Sequence, residues 1–206
     1  MNVRLENDLK EVMNIISEKW QVQNNFYDKN SNFIYRMRTL EECLNEIDRL
    51  KVDKNYALHR WYNFKTSCYC EEIFCEYGAV KERDIYNHDV DIYIDNVPFD
   101  VKLTVYPAKL KNRPYDLTTR AGKNDMIAWY YDNQSQGNRK QLLNRLYVVC
   151  DAKTSYENMV MKSNFELMRV KIAQYMESVK ADGLNEIVIN ENGEKYRLKS
   201  DIIHLS

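Results

Sequence analysis

Two aspartates and a lysine, Asp91, Asp100 and Lys102, stand in the stretch His88-Asp89-Val90-Asp91-Ile92-Tyr93-Ile94-Asp95-Asn96-Val97-Pro98-Phe99-Asp100-Val101-Lys102-Leu103-Thr104-Val105. Asp95 and Asn96 both tolerate positive φ. A two-residue turn centred on them makes the numbers of paired positions sum to 191, which sets Ile94 against Val97 and Asp91 against Asp100. Directly opposed side chains of an antiparallel pair have Cβ atoms roughly 4.5–5.5 Å apart, a distance at which two carboxylates repel unless a proton or cation lies between them. A divalent metal removes the conflict, and carboxylates, a metal and a nearby amine are the components of metal-assisted phosphodiester hydrolysis. The plain alternative is a polar strand face turned to water. The same arithmetic sets Asp89 opposite Lys102 as an ion-pair partner.

The strand period sorts the rest of the hairpin. Val90, Ile92 and Ile94 share one face with Val101, Leu103 and Val105, which calls for a core, and Asp91, Tyr93, Asp100, Lys102 and Thr104 share the other. Asp91 followed after eight residues by Asp100-Val101-Lys102 resembles the PD-(D/E)xK nuclease superfamily, which includes many restriction endonucleases. The phrases Pro98-Phe99-Asp100-Val101-Lys102-Leu103-Thr104-Val105-Tyr106-Pro107 and Trp129-Tyr130-Tyr131-Asp132-Asn133-Gln134-Ser135 are similar to restriction-endonuclease-like proteins of bacteria and their mobile elements. The likeness runs from roughly Phe64 to Asp151, and it departs from the usual first motif in having Val90, not proline, before Asp91.

The resemblance implies hydrolysis of phosphodiester bonds, with DNA as the expected substrate. Asp91 and Asp100 are then ligands of Mg²⁺, or Mn²⁺ in its place, the Val101 carbonyl adds a ligand, and Lys102 orients or deprotonates the attacking water. It also implies a glutamate from the preceding helix, for which the chain offers Glu71 and Glu72. Trp61, Phe64, Cys68, Glu71 and Cys75 recur at spacings of three and four, which puts Glu71 along the apolar stripe. Glu72 lies four residues after Cys68 and stays as the alternative.

Net charge is −1 over 206 residues, so the whole chain gives no electrostatic case for a polyanion. Its distribution does. Val101 to Cys150 holds nine Lys or Arg against three Asp, a balance of +6, which leaves −7 for the remainder. Polyanion binding rests largely on cations meeting phosphates. Lys109, Lys111, Arg113, Arg120, Lys123, Arg139 and Arg145, with Gln134, Ser135 and Asn144, are accordingly the expected nucleic-acid contacts. The ordinary counter-reading is a basic surface patch, and for Trp129, Tyr130 and Tyr131 it is a core cluster in place of base-stacking rings.

The remaining sequence supplies scaffold. Leu5, Leu9, Val12, Met13 and Ile16 form a helical stripe, Thr39-Leu40-Glu41-Glu42 reads as a capping box, and further helices are expected over 125–131, 138–144 and about 155–180. Arg113 through Lys123 reads as a polar loop, Leu146–Cys150 as a strand, and Glu186–Ile189 with Tyr196–Leu198 as a hairpin about Asn192-Gly193. These elements predict an α/β fold with a restriction-endonuclease-like core of a short mixed sheet flanked by helices and a helical N-terminal portion. Five glycines and three prolines are too few for long linkers, so one domain is expected, with a helical portion over 1–58, a catalytic core over 59–151 and a helix plus hairpin over 152–206.

No apolar run approaches the roughly 18 residues that span a bilayer, and no apolar signal region opens the chain, which predicts a cytoplasmic protein without a membrane partner. Cys43, Cys68, Cys70, Cys75 and Cys150 are odd in number and lie in apolar patterns, as reduced structural thiols do. His59, His88 and His204 are too scattered to be a ligand set. A homodimer is expected by analogy with the family alone. Two functions stay open: a metal-dependent nuclease, and a nuclease-like module that binds nucleic acid or a protein without cutting.

Overall fold

Asp95 and Asn96 take φ of 50° and 64°, the left-handed pair that a two-residue hairpin turn requires. This turn joins β2 (Ile92–Ile94) to β3 (Val97–Val105), which pair in the expected register with Ile94 against Val97 and Ile92 against Phe99. The structure is a computed structural model and describes residues 3–17, 24–84, 86–133 and 141–206. Two compact units are present, Met1–Cys68 with Lys153–Ser163, and Tyr69–Ala152 with Asn164–Ser206.

The first unit is helical among its described residues. It contains α1 (Val3–Ile15), α2 (Asn25–Asn30), α3 (Leu40–Leu50), the beginning of α4 (Lys54–Glu76) and, near its end, α6 (Ser155–Lys162). Leu9 and Val12 of the expected stripe are fully buried. The capping box is present: the Glu42 amide donates to the Thr39 hydroxyl and the Glu42 carboxylate accepts from the Thr39 amide.

The second unit holds the sheet. Its strands, β1 (Val80–Lys81), β2, β3, β4 (Arg145–Cys150), β5 (Glu186–Glu191) and β6 (Glu194–Leu205), are ordered β1-β2-β3-β4-β6-β5. The β1-β2-β3 meander is antiparallel, β4 runs parallel to both β3 and β6, and β5 returns antiparallel along β6. A parallel neighbour demands a crossover, and α5 (Arg120–Asn133) supplies it between β3 and β4. Helix α4 is closed off by the turn at Gly78, whose φ of 107° suits glycine, with the Ala79 amide closing back on the Phe74 carbonyl at 3.1 Å. The fold is therefore α/β with a mixed sheet and flanking helices.

Several boundaries differ from the sequence reading. α5 begins at Arg120, inside the expected loop, and Gln141–Asn144 is not helical. The expected helix over 155–180 is two helices, α6 and α7 (Phe165–Asp182), because the Asn164 side chain caps a new start at the Leu167 amide. Tyr130 and Tyr131 are buried and Trp129 packs beside them, so the aromatic cluster belongs to the core with Tyr147, Val149 and Ile202. In the terminal hairpin, β6 extends to Leu205 and becomes an internal strand beside β4, which local pattern did not reveal.

Gly122 illustrates how tightly the start of α5 is set. A Cβ there would lie 2.1 Å from the Asp116 carbonyl oxygen and 2.7 Å from its carbon, both backbone atoms that cannot rotate aside. Gly122→Ala is expected to destabilise by about 1–3 kcal/mol from overpacking, outweighing the roughly 1 kcal/mol that alanine gains in a helix interior. A urea-unfolding midpoint at or above that of the wild type would contradict this.

Candidate functional site

The two aspartates do meet, though not as a ladder pair. The β2–β3 ladder stops at Ile92 against Phe99, and the Asp91 amide donates to that same Phe99 carbonyl at 2.8 Å. Asp91 therefore sits just outside the strand, and its Oδ2 accepts the Val101 amide at 2.7 Å. The side chain that register alone set opposite Asp100 is turned along β3 and held by the residue after it. Burial raises the Asp91 carboxyl above its ordinary range, Asp100 beside it raises it further, and the Val101 amide and Lys102 pull the other way.

Asp100 is 4% exposed, buried where a polar face turned to water was the alternative. Its Oδ1 faces the Lys102 ammonium at 2.5 Å and its Oδ2 accepts from Arg145 Nε at 2.9 Å. Lys102 thus pairs with Asp100 and not, as register suggested, with Asp89, which is exposed. On the core face Val101 is buried as expected, but Leu103 is half-buried and Val105 is exposed as the sheet runs out.

Of the two helix glutamates, Glu72 is exposed and Glu71 is half-buried, with its Oε2 3.0 Å from the Lys81 ammonium of β1. Burial lifts the Glu71 carboxyl above its ordinary range, and Asp91 adds to that while Lys81 opposes it. The site is thus a row of charges from four elements and one residue between them: Lys81 of β1, Glu71 of α4, Asp91 just before β2, then Asp100 with Lys102 of β3 and Arg145 of β4. Three acids meet three bases. Among the described residues Asp91 alone of the three acids has no Lys or Arg within ion-pair distance, and it is flanked by the other two.

Arg145 has a different place from the expected one. It is 5% exposed and shared between Asp100 and the Gln141 side chain, 3.2 Å away, so it is a buried partner of the acid in place of a surface phosphate contact. Asn144 is likewise structural, donating to the Pro98 carbonyl at 3.0 Å and accepting the Lys199 amide at 2.8 Å. Arg120 and Lys123 gather about Asp201 at 2.7 and 4.0 Å. Lys109, Lys111 and Arg113 are exposed just after β3. Gln134, Ser135 and Arg139 lie outside the described residues.

Sequence reasoning missed Lys81 and Glu82. Glu82 accepts from the amides of Arg83 and Asp84, from Asn87 and from the Tyr93 hydroxyl, which holds its carboxyl down at about 2 and pins the segment leading to Asp91. No periodicity marked it; an acid followed closely by Asp84 and Asn87 was the only hint. Cys43, Cys70 and Cys150 are buried, His59 is buried against the Ser17 carbonyl at 2.8 Å, and His88 is exposed.

The donor set suits a hard cation. Mg²⁺ is typically held by one or two carboxylates with waters and phosphate oxygens completing the shell, and Asp91 with Asp100 offers two carboxylates, the first without a paired Lys or Arg among the described residues. Each Asp100 oxygen keeps a second lone pair beyond its bond to Lys102 or Arg145. No group of three His, Cys, Asp or Glu arranged for a metal occurs among the described residues. No helix among them is long and apolar enough to cross a membrane. No family model, curated protein or solved structure matches the chain.

Proposed function

We propose that this protein is a metal-dependent nuclease with a restriction-endonuclease-like site that hydrolyses phosphodiester bonds, DNA being the favoured substrate. The observation that carries the proposal is the meeting of Asp91 and Asp100 with the Lys102 ammonium against Asp100. Two like charges half-removed from water, one of them without an ion-pair partner among the described residues, are costly to hold together unless function requires it. The mixed sheet with flanking helices and the basic stretch after β3 are compatible with the same reading.

In this reading Asp91 and Asp100 would hold Mg²⁺, and Glu71, beside Asp91 on α4 and paired with Lys81, is the further carboxylate that the family resemblance implies. The bound ion supplies charge neutralisation at the phosphate and acidifies water. Arg145 fixes the rotamer of Asp100 from below the surface. Lys102, half exposed and donating to Asp100, presents its remaining N–H groups to solvent, and we assign it the orientation of the attacking water. Val101 contributes its amide to fix Asp91, and its carbonyl is the ligand that the family resemblance implies.

The test is an assay on duplex and single-stranded DNA and RNA with Mg²⁺ or Mn²⁺, comparing the wild type with Lys102→Met. Lys102 is 48% exposed, so its removal leaves the fold standing. Cleavage by the wild type, reduced by about 100-fold or more in the variant, is the expected result; no cleavage of any substrate by the wild type, or equal rates in both, rejects the proposal. A second reading, a non-cleaving nucleic-acid-binding or protein-interaction module, draws on the fact that both Asp100 oxygens already face the chain's own cations. It is the reading that stands if binding is found without cleavage.

A further inference from the structure

β5 pairs with β6 only as far as Lys199, while β4 flanks β6 from Ser200 to Leu205, so the last half of β6 has one edge that β5 does not cover. Four successive residues, Asp201 to His204, line a cavity there of about 370 Å³. Successive strand residues alternate faces, so a cavity reached by all four lies along the strand's edge. Its walls come from the first turn of α5, which contributes Arg120 and Lys123, and from α7, which contributes Lys171, Gln174 and Ser178.

The charge of this pocket is unbalanced. Among the described residues Arg120, Lys123 and Lys171 are three cations, and Asp201 is the one acidic side chain lining it, with His204 and Ser206 nearby. Asp201 is 5% exposed and is already engaged by Arg120 at 2.7 Å and by its own neighbour's amide, Ile202, at 2.8 Å. Lys123 is 24% exposed and only reaches Asp201 at 4.0 Å, and Lys171 has no ion-pair partner among the described residues. Burial and the neighbouring Arg120 lower the proton affinity of Lys123 while Asp201 raises it. The Lys, Arg and Asp side chains that line it thus sum to +2 among the described residues, at the start of a helix with no acid in its first turn, an arrangement that favours an anion.

We propose that this pocket binds a phosphate group, with Arg120, Lys123 and Lys171 as its cationic wall and Asp201 fixing the arginine. A diester or a monoester brings one to two negative charges, which the excess matches. The volume falls in the range of about 300–1,000 Å³ usual for small-ligand sites, so the phosphate arrives attached to something larger, either a small phosphorylated molecule or a nucleic-acid strand. This inference does not depend on cleavage at Asp91 and Asp100.

Calorimetric titration of the full chain in EDTA, where no metal-dependent cleavage proceeds, separates the two. The probes are inorganic phosphate and a short single-stranded oligonucleotide without terminal phosphates, at constant ionic strength, with the wild type, Lys171→Gln and Lys171→Glu. The wild type is expected to bind at least one probe, Lys171→Gln to weaken that binding about tenfold, and Lys171→Glu to abolish it. Binding of phosphate alone identifies a small phosphorylated ligand; a Lys171-dependent oligonucleotide affinity identifies a strand. If the wild type binds neither probe, or if all three proteins bind alike, the proposal is overturned.

Discussion

Asp91→Asn is expected to abolish metal-dependent cleavage, by about 100-fold or more, while leaving the protein as stable as the wild type or more so. The two halves of this result have one cause. Asparagine keeps an oxygen to accept the Val101 amide, so the local geometry survives, but it cannot neutralise a metal. The charge it removes is one that the fold resists, because burial first and Asp100 second hold the Asp91 carboxyl above its ordinary range. Glu71 is raised in the same direction, by burial and by Asp91.

The sign follows from linkage. Carboxyls whose folded values lie above their ordinary 3.8 and 4.5 bind protons more tightly in the native state, so their contribution to stability is complete below those values and is lost as pH rises through the raised ones. The stability of Asp91→Asn relative to the wild type should therefore grow as pH is raised from about 4 toward neutrality. Chemical denaturation at a series of pH values, with the nuclease assay in parallel, checks both halves. A variant that keeps full activity, or one that loses stability progressively toward neutral pH, refutes the assignment of Asp91.

Breaking the Asp100–Arg145 pair is expected to have the largest effect on folding. Asp100 and Arg145 are 4% and 5% exposed, and each is the other's principal charge partner inside the sheet. Removing one member of a buried pair typically costs about 3–5 kcal/mol, because the survivor is left charged and poorly solvated. Arg145→Met should fall at the lower end, since Lys102 still faces Asp100. Asp100→Ala should fall at the upper end, since among the described residues Arg145 would keep no acid, retaining neutral neighbours such as Gln141 at 3.2 Å and the face of the Tyr131 ring. The double variant Asp100→Leu with Arg145→Met should cost less than the sum of the singles, as it leaves neither charge stranded. Urea unfolding of the three proteins measures this, and single-variant losses below about 1 kcal/mol, the range of exposed pairs, would show that the pair is not buried in solution.

The same pair shows why a binding-only function and a catalytic one look alike in a list of motif residues. Asp100 is at once the expected metal ligand and the anchor of a buried arginine. Loss of activity in Asp100→Ala could reflect either role, so the informative substitutions are Asp91→Asn and Lys102→Met, which touch the site without stranding Arg145.

The hairpins about Asp95-Asn96 and Asn192-Gly193, the cap at Thr39, the α1 stripe and the buried aromatic cluster were all fixed by local chemistry: positive-φ turn residues, side chains that satisfy free amides, and periodic apolar positions. Those rules act over a few residues and read directly from the chain. Tertiary structure alone decided that Arg145 would face inward onto Asp100, that Lys81 would meet Glu71, that β6 would lie beside β4, and that Arg120, Lys123 and Lys171 would share one pocket. Each of these joins residues far apart in sequence, through strand order and helix placement. The charge of a side chain is written in the sequence, but whether it meets water, a phosphate or another side chain depends on which distant backbone the sheet brings beside it.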